Sequence, residues 1–258
     1  MTIIVGMYYD NGNGAIVAAD SRTMRGGDYS IDQKLHRVED CAIFASAGLA
    51  GMVEKLIPKV EETRNRTRQW LSSEILNIFE DEMAKLNERY KMTRPYRFPM
   101  DEPLLHAIIG LIDDKKPKLY TLYDNGYGEI IHDNHAVGHG ARHAKNILRT
   151  LYRHDITKER AIEIVVHILT EVAEVDALVD SNPQIATLEV DEKGKTKIEV
   201  LNEDKNGKFQ IISDYVKPIR DKVQGIEQKR AEIFHDVLDG TLKLIDINPQ
   251  KKEKLNDK

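Results

Sequence analysis

Hydrophobic periodicity changes in blocks along this chain, and the order of the blocks constrains the fold more than any other feature. Ile3 to Tyr9 and Ala15 to Ala19 are apolar, β-branched runs. Between them stands Asp10-Asn11-Gly12-Asn13-Gly14, whose Asn and Gly residues tolerate positive φ, so the two runs predict a hairpin. Arg37 to Ala47 adds a further apolar stretch, and its small residues Ala45, Ser46 and Ala47, with Gly48, permit close backbone approach. From Leu49 the period lengthens. Met52, Leu56 and Val60 recur four apart, and after Trp70 the positions Leu71, Ile75, Ile78, Phe79, Met83 and Leu86 recur at three and four, which predicts two helices. Pro58 is placed to kink or break the first. Pro95, Pro99 and Pro103 make Met92 to Pro103 an extended connection.

Strands return at Leu104 to Ile112, Lys118 to Tyr123 and Glu129 to His132. Gly138-His139-Gly140 then opens a third helix through Ala144, Leu148 and Leu151. Thr157 caps a fourth, with Ala161, Val165, Ile168 and Val172 on one face. Ile185 to Val190 and Lys197 to Leu201 are the last strands, on either side of Glu192-Lys193-Gly194. Segregated blocks of strands and helices predict an α+β fold, with sheets covered by helical layers rather than alternating βαβ units.

The chain's 258 residues suffice to bury a full core, and 41% hydrophobic with 31% charged residues is a globular composition. A net charge of −5, with no basic block before the scattered lysines of the tail, argues against a nucleic-acid surface. No apolar run is long enough to span a bilayer, and the opening residues lack a signal-peptide layout. The single cysteine, Cys41, excludes an intramolecular disulfide framework and reads as a small buried hydrophobe. These features together lead us to expect a cytoplasmic protein. Beyond Phe209, an amphipathic pattern from Pro218 through Ile219, Val223, Ile226, Ile233, Phe234, Val237 and Leu238 predicts a helical extension, with a disordered lysine-rich end from Gln250.

A threonine directly follows Met1, so loss of one residue would put an amino group and a hydroxyl on the same end residue. A threonine hydroxyl is a poor nucleophile unless a base takes its proton, and an N-terminal amine can be that base. The reference pKa of such an amine is about 7.7–8.0, and a nearby cation would lower it. Lys34 is the candidate cation, Asp20 its carboxylate partner, and Gly48 a backbone N–H donor for an oxyanion.

The residues Thr2-Ile3-Ile4-Val5-Gly6, Ala18-Ala19-Asp20-Ser21-Arg22, Lys34 and Ala47-Gly48-Leu49-Ala50-Gly51 resemble the β subunits of the proteasome family, the N-terminal-nucleophile (Ntn) hydrolases. The Asp20-Ser21-Arg22 run and its spacing look most like the bacterial branch, whose peptidases are partnered by ATP-driven unfoldases. The resemblance covers Thr2 to Leu201 and implies a four-layer αββα sandwich of two antiparallel sheets between helical layers. It sets the domain expectation as an Ntn-hydrolase domain over residues 1–204 and an extension over residues 205–258. In the family the threonine attacks, the aspartate orients the lysine, the lysine tunes the amine, and the glycine N–H forms the oxyanion hole. These roles fall on Thr2, Asp20, Lys34 and Gly48.

His139 stands where the family commonly has a serine between two glycines, and Asp176 occupies the position of an assisting aspartate. The serine the family has three residues after that aspartate is replaced by Val179, with Ser181 arriving late. The first specificity pocket maps near Thr23, Asp32, His36, Ser46, Ala50 and Glu54, whose two acids would favour Lys or Arg before the scissile bond. The resemblance implies threonine endopeptidase activity with no metal or organic cofactor, acting on peptide or unfolded protein in a ring or spiral oligomer that an ATPase unfoldase could feed.

Other readings stay open on the same residues. A non-catalytic subunit could use the fold alone. A transpeptidase or ligase would pass the acyl group to an amine instead of water. His132, His135, His139 and His143 could be read as a metal cluster with His139 and His143 on one helix face, but no Glu follows either in the zinc-protease arrangement.

Overall fold

Ile3 to Tyr9 form β1 and Gly14 to Asp20 form β2, and every residue of both strands is buried. That explains why they read as continuous apolar runs: a strand covered on both faces has no solvated side to alternate with. The hairpin between them carries Asp10 and Asn11 at φ 50° and 53° and Gly12 at 84°, as its composition predicts. The computed structural model describes residues 2–25, 28–38, 42–48, 50–66, 72–93, 105–191 and 193–201, with helical positions 217–218, 221–222, 224–226, 228–229, 232–233 and 235. Cys41, Trp70 and the proline-rich connection at 94–103 lie outside the described residues, as do most apolar positions of the expected C-terminal helix.

Beyond β2 the elements in order are β3 (Arg22–Arg25), β4 (Asp28–Ile31), β5 (Leu35–Val38), β6 (Ala42–Gly48), α1 (Ala50–Arg66) and α2 (Ser72–Thr93). There follow β7 (Leu105–Asp113), β8 (Lys116–Leu122), β9 (Gly128–Ile131), β10 (Asn134–Gly138), α3 (Ala141–Leu151), α4 (Lys158–Val175), β11 (Pro183–Val190) and β12 (Thr196–Val200). One five-stranded antiparallel sheet has the order β10-β1-β2-β11-β12 and the other β5-β6-β7-β8-β9, while β3 and β4 pair separately.

Three cores follow from this layering. Ile3, Val5 and Met7 face α3 and α4, packing with Leu148, Val165, Ile168 and Leu169. Ile4, Val17, Ala45, Ile108 and Leu188 fill the space between the sheets. Phe44, Ile109 and Leu111 face α1 and α2, and Phe44 stacks on Phe79 at 4.8 Å between ring centroids. Each fully buried Ile, Leu or Phe contributes about 1.5–3 kcal/mol relative to exposure. Tyr8 crosses from the first sheet to the second, its hydroxyl accepting the Leu119 N–H at 2.7 Å. The fold is the four-layer αββα sandwich.

Four expectations need correction. The stretch from Arg37 to Ala47 is two strands, not one: β5 pairs antiparallel with β6, Val38 opposite Ala42. The hairpin β3–β4, two strands of four residues each, and the edge strand β10 are too short and too polar to stand out by periodicity, although β4 alternates polar and apolar residues. Pro58 neither ends nor divides α1. A proline's missing N–H and ring clash affect only the preceding turn, which the helix absorbs here. His139 precedes α3, so it shares no helix face with His143. Thr157 does cap α4, its side chain accepting the Arg160 N–H at 3.3 Å. The C-terminal helical segment touches its own domain through Lys222, which donates to Glu163 on α4 at 2.6 Å, while Ile226 and Ile233 stay exposed.

Candidate active site

Antiparallel pairing brings the start of β1 and the end of β2 to one edge of the sandwich, so Thr2 and Asp20 become neighbours across the hairpin. The Ile3 N–H, one peptide unit from Thr2, donates to Asp20 Oδ1 at 3.0 Å. Lys34 Nζ donates to the same oxygen at 2.8 Å, and the Arg22 N–H reaches Asp20 Oδ2 at 3.2 Å. The group is almost dry: Thr2 is 4% exposed, Asp20 0% and Lys34 6%. A buried ion pair repays its desolvation only when its remaining lone pairs are satisfied, and the two backbone N–H groups do that here. Burial pulls the Lys34 ammonium below its ordinary value, with Asp20 opposing the pull. Burial likewise pushes Asp20 up against the stabilising contacts of Lys34 and Ile3.

On the other side of Thr2 stands the turn between β10 and α3. The His139 N–H donates to the Thr2 carbonyl at 2.8 Å. Gly138 has φ +97°, and a Cβ there would fall 2.1 Å from the Thr2 oxygen, so only glycine fits. The His139 ring contacts Asp176 Oδ2 through Nδ1 at 2.5 Å, and the Leu178 N–H donates to Asp176 Oδ1 at 3.0 Å. Burial would raise the Asp176 pKa, but His139 and the Leu178 N–H hold it below its ordinary value. The pair borders a cavity of about 490 Å³ between α3 and the end of α4.

Gly48 ends β6 at φ +132°, two residues beyond Ser46, whose N–H donates to the Lys34 carbonyl at 3.3 Å. His139 and Asp176 are thus tied to Thr2, and Lys34 and Ser46 to Asp20, with the Ile3 N–H joining the two sets. The other expected pocket residues are spread over separate elements. Thr23 is half-buried on β3, Asp32 half-buried ahead of β5, Ala50 opens α1, and Glu54 is exposed on α1. His36 on β5 has a buried Nε2 without a hydrogen-bond partner among the described residues, and burial lowers its pKa. Among the described residues no group of three or more His, Cys, Asp or Glu side chains is placed to hold a metal ion.

Two supporting residues escaped the sequence reading. Gln184, 1% exposed on β11, accepts the Lys34 and Leu35 N–H groups at 2.9 and 3.0 Å and donates to the Asp32 carbonyl at 2.6 Å. A side chain of the first sheet thereby clasps the segment that carries Lys34. Asp180, before β11, accepts from the N–H and hydroxyl of Ser21, the residue after Asp20.

No helix among the described residues is long and apolar enough to cross a membrane. The chain is similar to proteasome subunit beta 2 of Thermomonospora curvata, at 27% identity over 188 residues, or 68% of this chain and 62% of that subunit. The matched stretch therefore spans less than two thirds of that relative. Proteasome subunit beta 2 of Pyrobaculum aerophilum is 28% identical over 198 residues, covering 73% of this chain and 89% of the relative. Among solved structures, the Anbu (Gly-1) mutant from Hyphomicrobium sp. strain MC1 superposes with a TM-score of 0.67 over 90% of this chain and 97% of that one, at 15% identity, a likeness of fold. The proteasome subunit profile matches residues 2–188, so with its αββα sandwich the chain belongs to the proteasome subunit family.

Proposed function

We propose that the chain is a threonine endopeptidase whose nucleophile is Thr2, exposed by removal of Met1. The observation that carries this reading is the shared oxygen: Asp20 Oδ1 accepts both the Lys34 ammonium and the N–H next to Thr2. That geometry supports Lys34 as the cation that lowers the basicity of the freed amine enough for it to be neutral and accept a proton near pH 7.

In the proposed reaction Thr2 Oγ attacks the scissile carbonyl carbon while its proton passes to the Thr2 amine. The oxyanion is held by the Gly48 N–H. Collapse breaks the C–N bond, the departing amine takes the proton, and an ester remains on Oγ. Water, activated by the same amine, then hydrolyses the ester and restores the hydroxyl. His139 and Asp176 would flank the amine from the side opposite Asp20. Thr23, Asp32, Ser46, Ala50 and Glu54 would line the pocket for the side chain before the scissile bond.

Intact-mass measurement paired with a fluorogenic peptidase assay tests the proposal. Protein lacking Met1 is expected to turn over substrate and protein retaining it to be inactive, because an amide nitrogen has no basicity. Full turnover with Met1 in place would sink the mechanism. Varying only the residue before the scissile bond tests the two acids: cleavage after Leu or Tyr as fast as after Arg would remove Asp32 and Glu54 from specificity.

Assembly into a closed ring or spiral, in the cytoplasm and supplied by an ATPase unfoldase, belongs to the same proposal. The family membership and the apolar positions of the C-terminal segment support it. Light scattering on the full-length chain should report an oligomer, and a monomer at micromolar concentration would overturn this part.

A further inference from the structure

We infer that Asp180 is a positioning residue of the proposed chemistry, a second buried carboxylate that fixes the Asp20-Ser21 turn and sets the charge around Lys34; this rests on the peptidase reading of Thr2. Asp180 lies in the loop from α4 to β11 and is 7% exposed. Its Oδ1 accepts the Ser21 N–H at 3.1 Å, the Ser21 hydroxyl at 3.1 Å and the Asn182 N–H at 3.1 Å, and its Oδ2 lies 2.9 Å from the Ser21 hydroxyl. Ser21 is itself fully buried. The residue on one side of it is Asp20, and the residue on the other, Arg22, donates its N–H to Asp20. Asp180 therefore grips the middle of the three-residue turn that aims the Asp20 carboxylate at Lys34.

Holding the turn does not by itself require a charge. Serine's hydroxyl and N–H could be satisfied by an amide, and a buried carboxylate carries a desolvation penalty that an amide avoids. What only the carboxylate supplies is a further negative charge, beside those of Asp20 and Asp32, acting on one ammonium. The groups its charge reaches are Asp20 at the end of β2 and Lys34 ahead of β5, and Asp32, also ahead of β5, acts on Lys34 in the same sense. Arg22 also lines a cavity of about 390 Å³ together with Asp180, Ser30 and Asn182. A nearby anion makes any group hold its proton more tightly. Asp180 acts in that sense on both Asp20 and Lys34, so it opposes the pull of burial on Lys34 and favours the charged ammonium.

The test uses the full chain with Met1 removed, as wild type, Asp180→Asn, Ser21→Ala and Thr2→Ala. kcat and KM are measured across pH with a fluorogenic peptide, and acylation of Thr2 by a peptide β-lactone is followed by intact mass. For Asp180→Asn, kcat is expected to fall about tenfold with KM within about twofold, and both limbs of the pH profile to move down by roughly half a unit, because every facing group loses the same anion. Ser21→Ala keeps the charge and should lower kcat a few-fold with both limbs unmoved. An unshifted profile in Asp180→Asn overturns the inference, whether or not the rate falls, since a purely structural role would act that way. If thermal melting shows that Asp180→Asn does not fold, Ser21→Ala decides, and a wild-type rate overturns the inference. Turnover and acylation that persist in Thr2→Ala overturn the peptidase reading itself; loss of both in Thr2→Ala with an unshifted Asp180→Asn profile overturns only the role of Asp180.

Discussion

Thr2→Ala is expected to abolish peptide turnover while leaving the fold and any assembly intact, because the substitution removes only a hydroxyl and a methyl group from a buried strand end. Lys34→Ala should reduce kcat by roughly 10³-fold or more, since residues acting as one chemical unit each carry most of its effect. The two variants differ in stability. Removing one partner of a buried pair costs about 3–5 kcal/mol, because the other charge is left uncompensated. Asp20 is fully buried, so Lys34→Ala should also lower the melting temperature, and by more than Thr2→Ala, which leaves no buried charge unpaired. Lys34→Arg keeps the charge and serves as the companion measurement. Activity that survives Thr2→Ala but is stopped by a chelator would transfer the chemistry to the histidines.

Gly138→Ala is expected to damage both stability and rate. A residue with a side chain held at this φ costs about 1–3 kcal/mol in backbone strain alone. The added Cβ would meet the Thr2 carbonyl at 2.1 Å and the Ala47 Cβ at 3.3 Å, so either β1 or the turn must move. The moving oxygen is the one that accepts the His139 N–H, and the moving residue is the proposed nucleophile. A displacement of about 1 Å at a reacting group can cost about 10²-fold in rate. Denaturant midpoint and kcat should therefore fall together. A variant with wild-type values of both would show that the contact is not fixed in solution.

What the sequence disclosed follows from burial. β1, β2 and β7 are read easily because strands enclosed by two layers are written in Ile, Val and Leu, β8 because buried and less buried positions largely alternate along it, and α1 to α4 because each buries one stripe. The hairpin β3–β4 hides because each strand has only four residues, and Asp28, Ser30 and Ile31 are all exposed. β10 hides because an edge strand opening Asn134-His135 has only Ala136 and Val137 to bury. The proximity of Thr2, Asp20 and Lys34 could be expected because residue type, order and spacing all carry information there, and the roles proposed for them and for Gly48 rest on the family resemblance. Asp180 and Gln184 were not, because their meaning lies in partners far along the chain. A lone Asp or Gln looks the same whether it is solvated or holds a loop.

Those distant partners also set a timetable. Gln184 grips the backbone of Lys34 across 150 residues of sequence, and Asp180 grips Ser21 across 159. Contacts so remote form late, after the loop-closure cost of bringing the ends together has been met. During synthesis, a ribosome-bound chain that still ends before position 184 holds Thr2, Asp20 and Lys34 but not the clasp that seats Lys34. On the proposed mechanism, a nascent chain carries every atom of Thr2 long before it can be aimed, and the arrangement matures only when both sheets have closed.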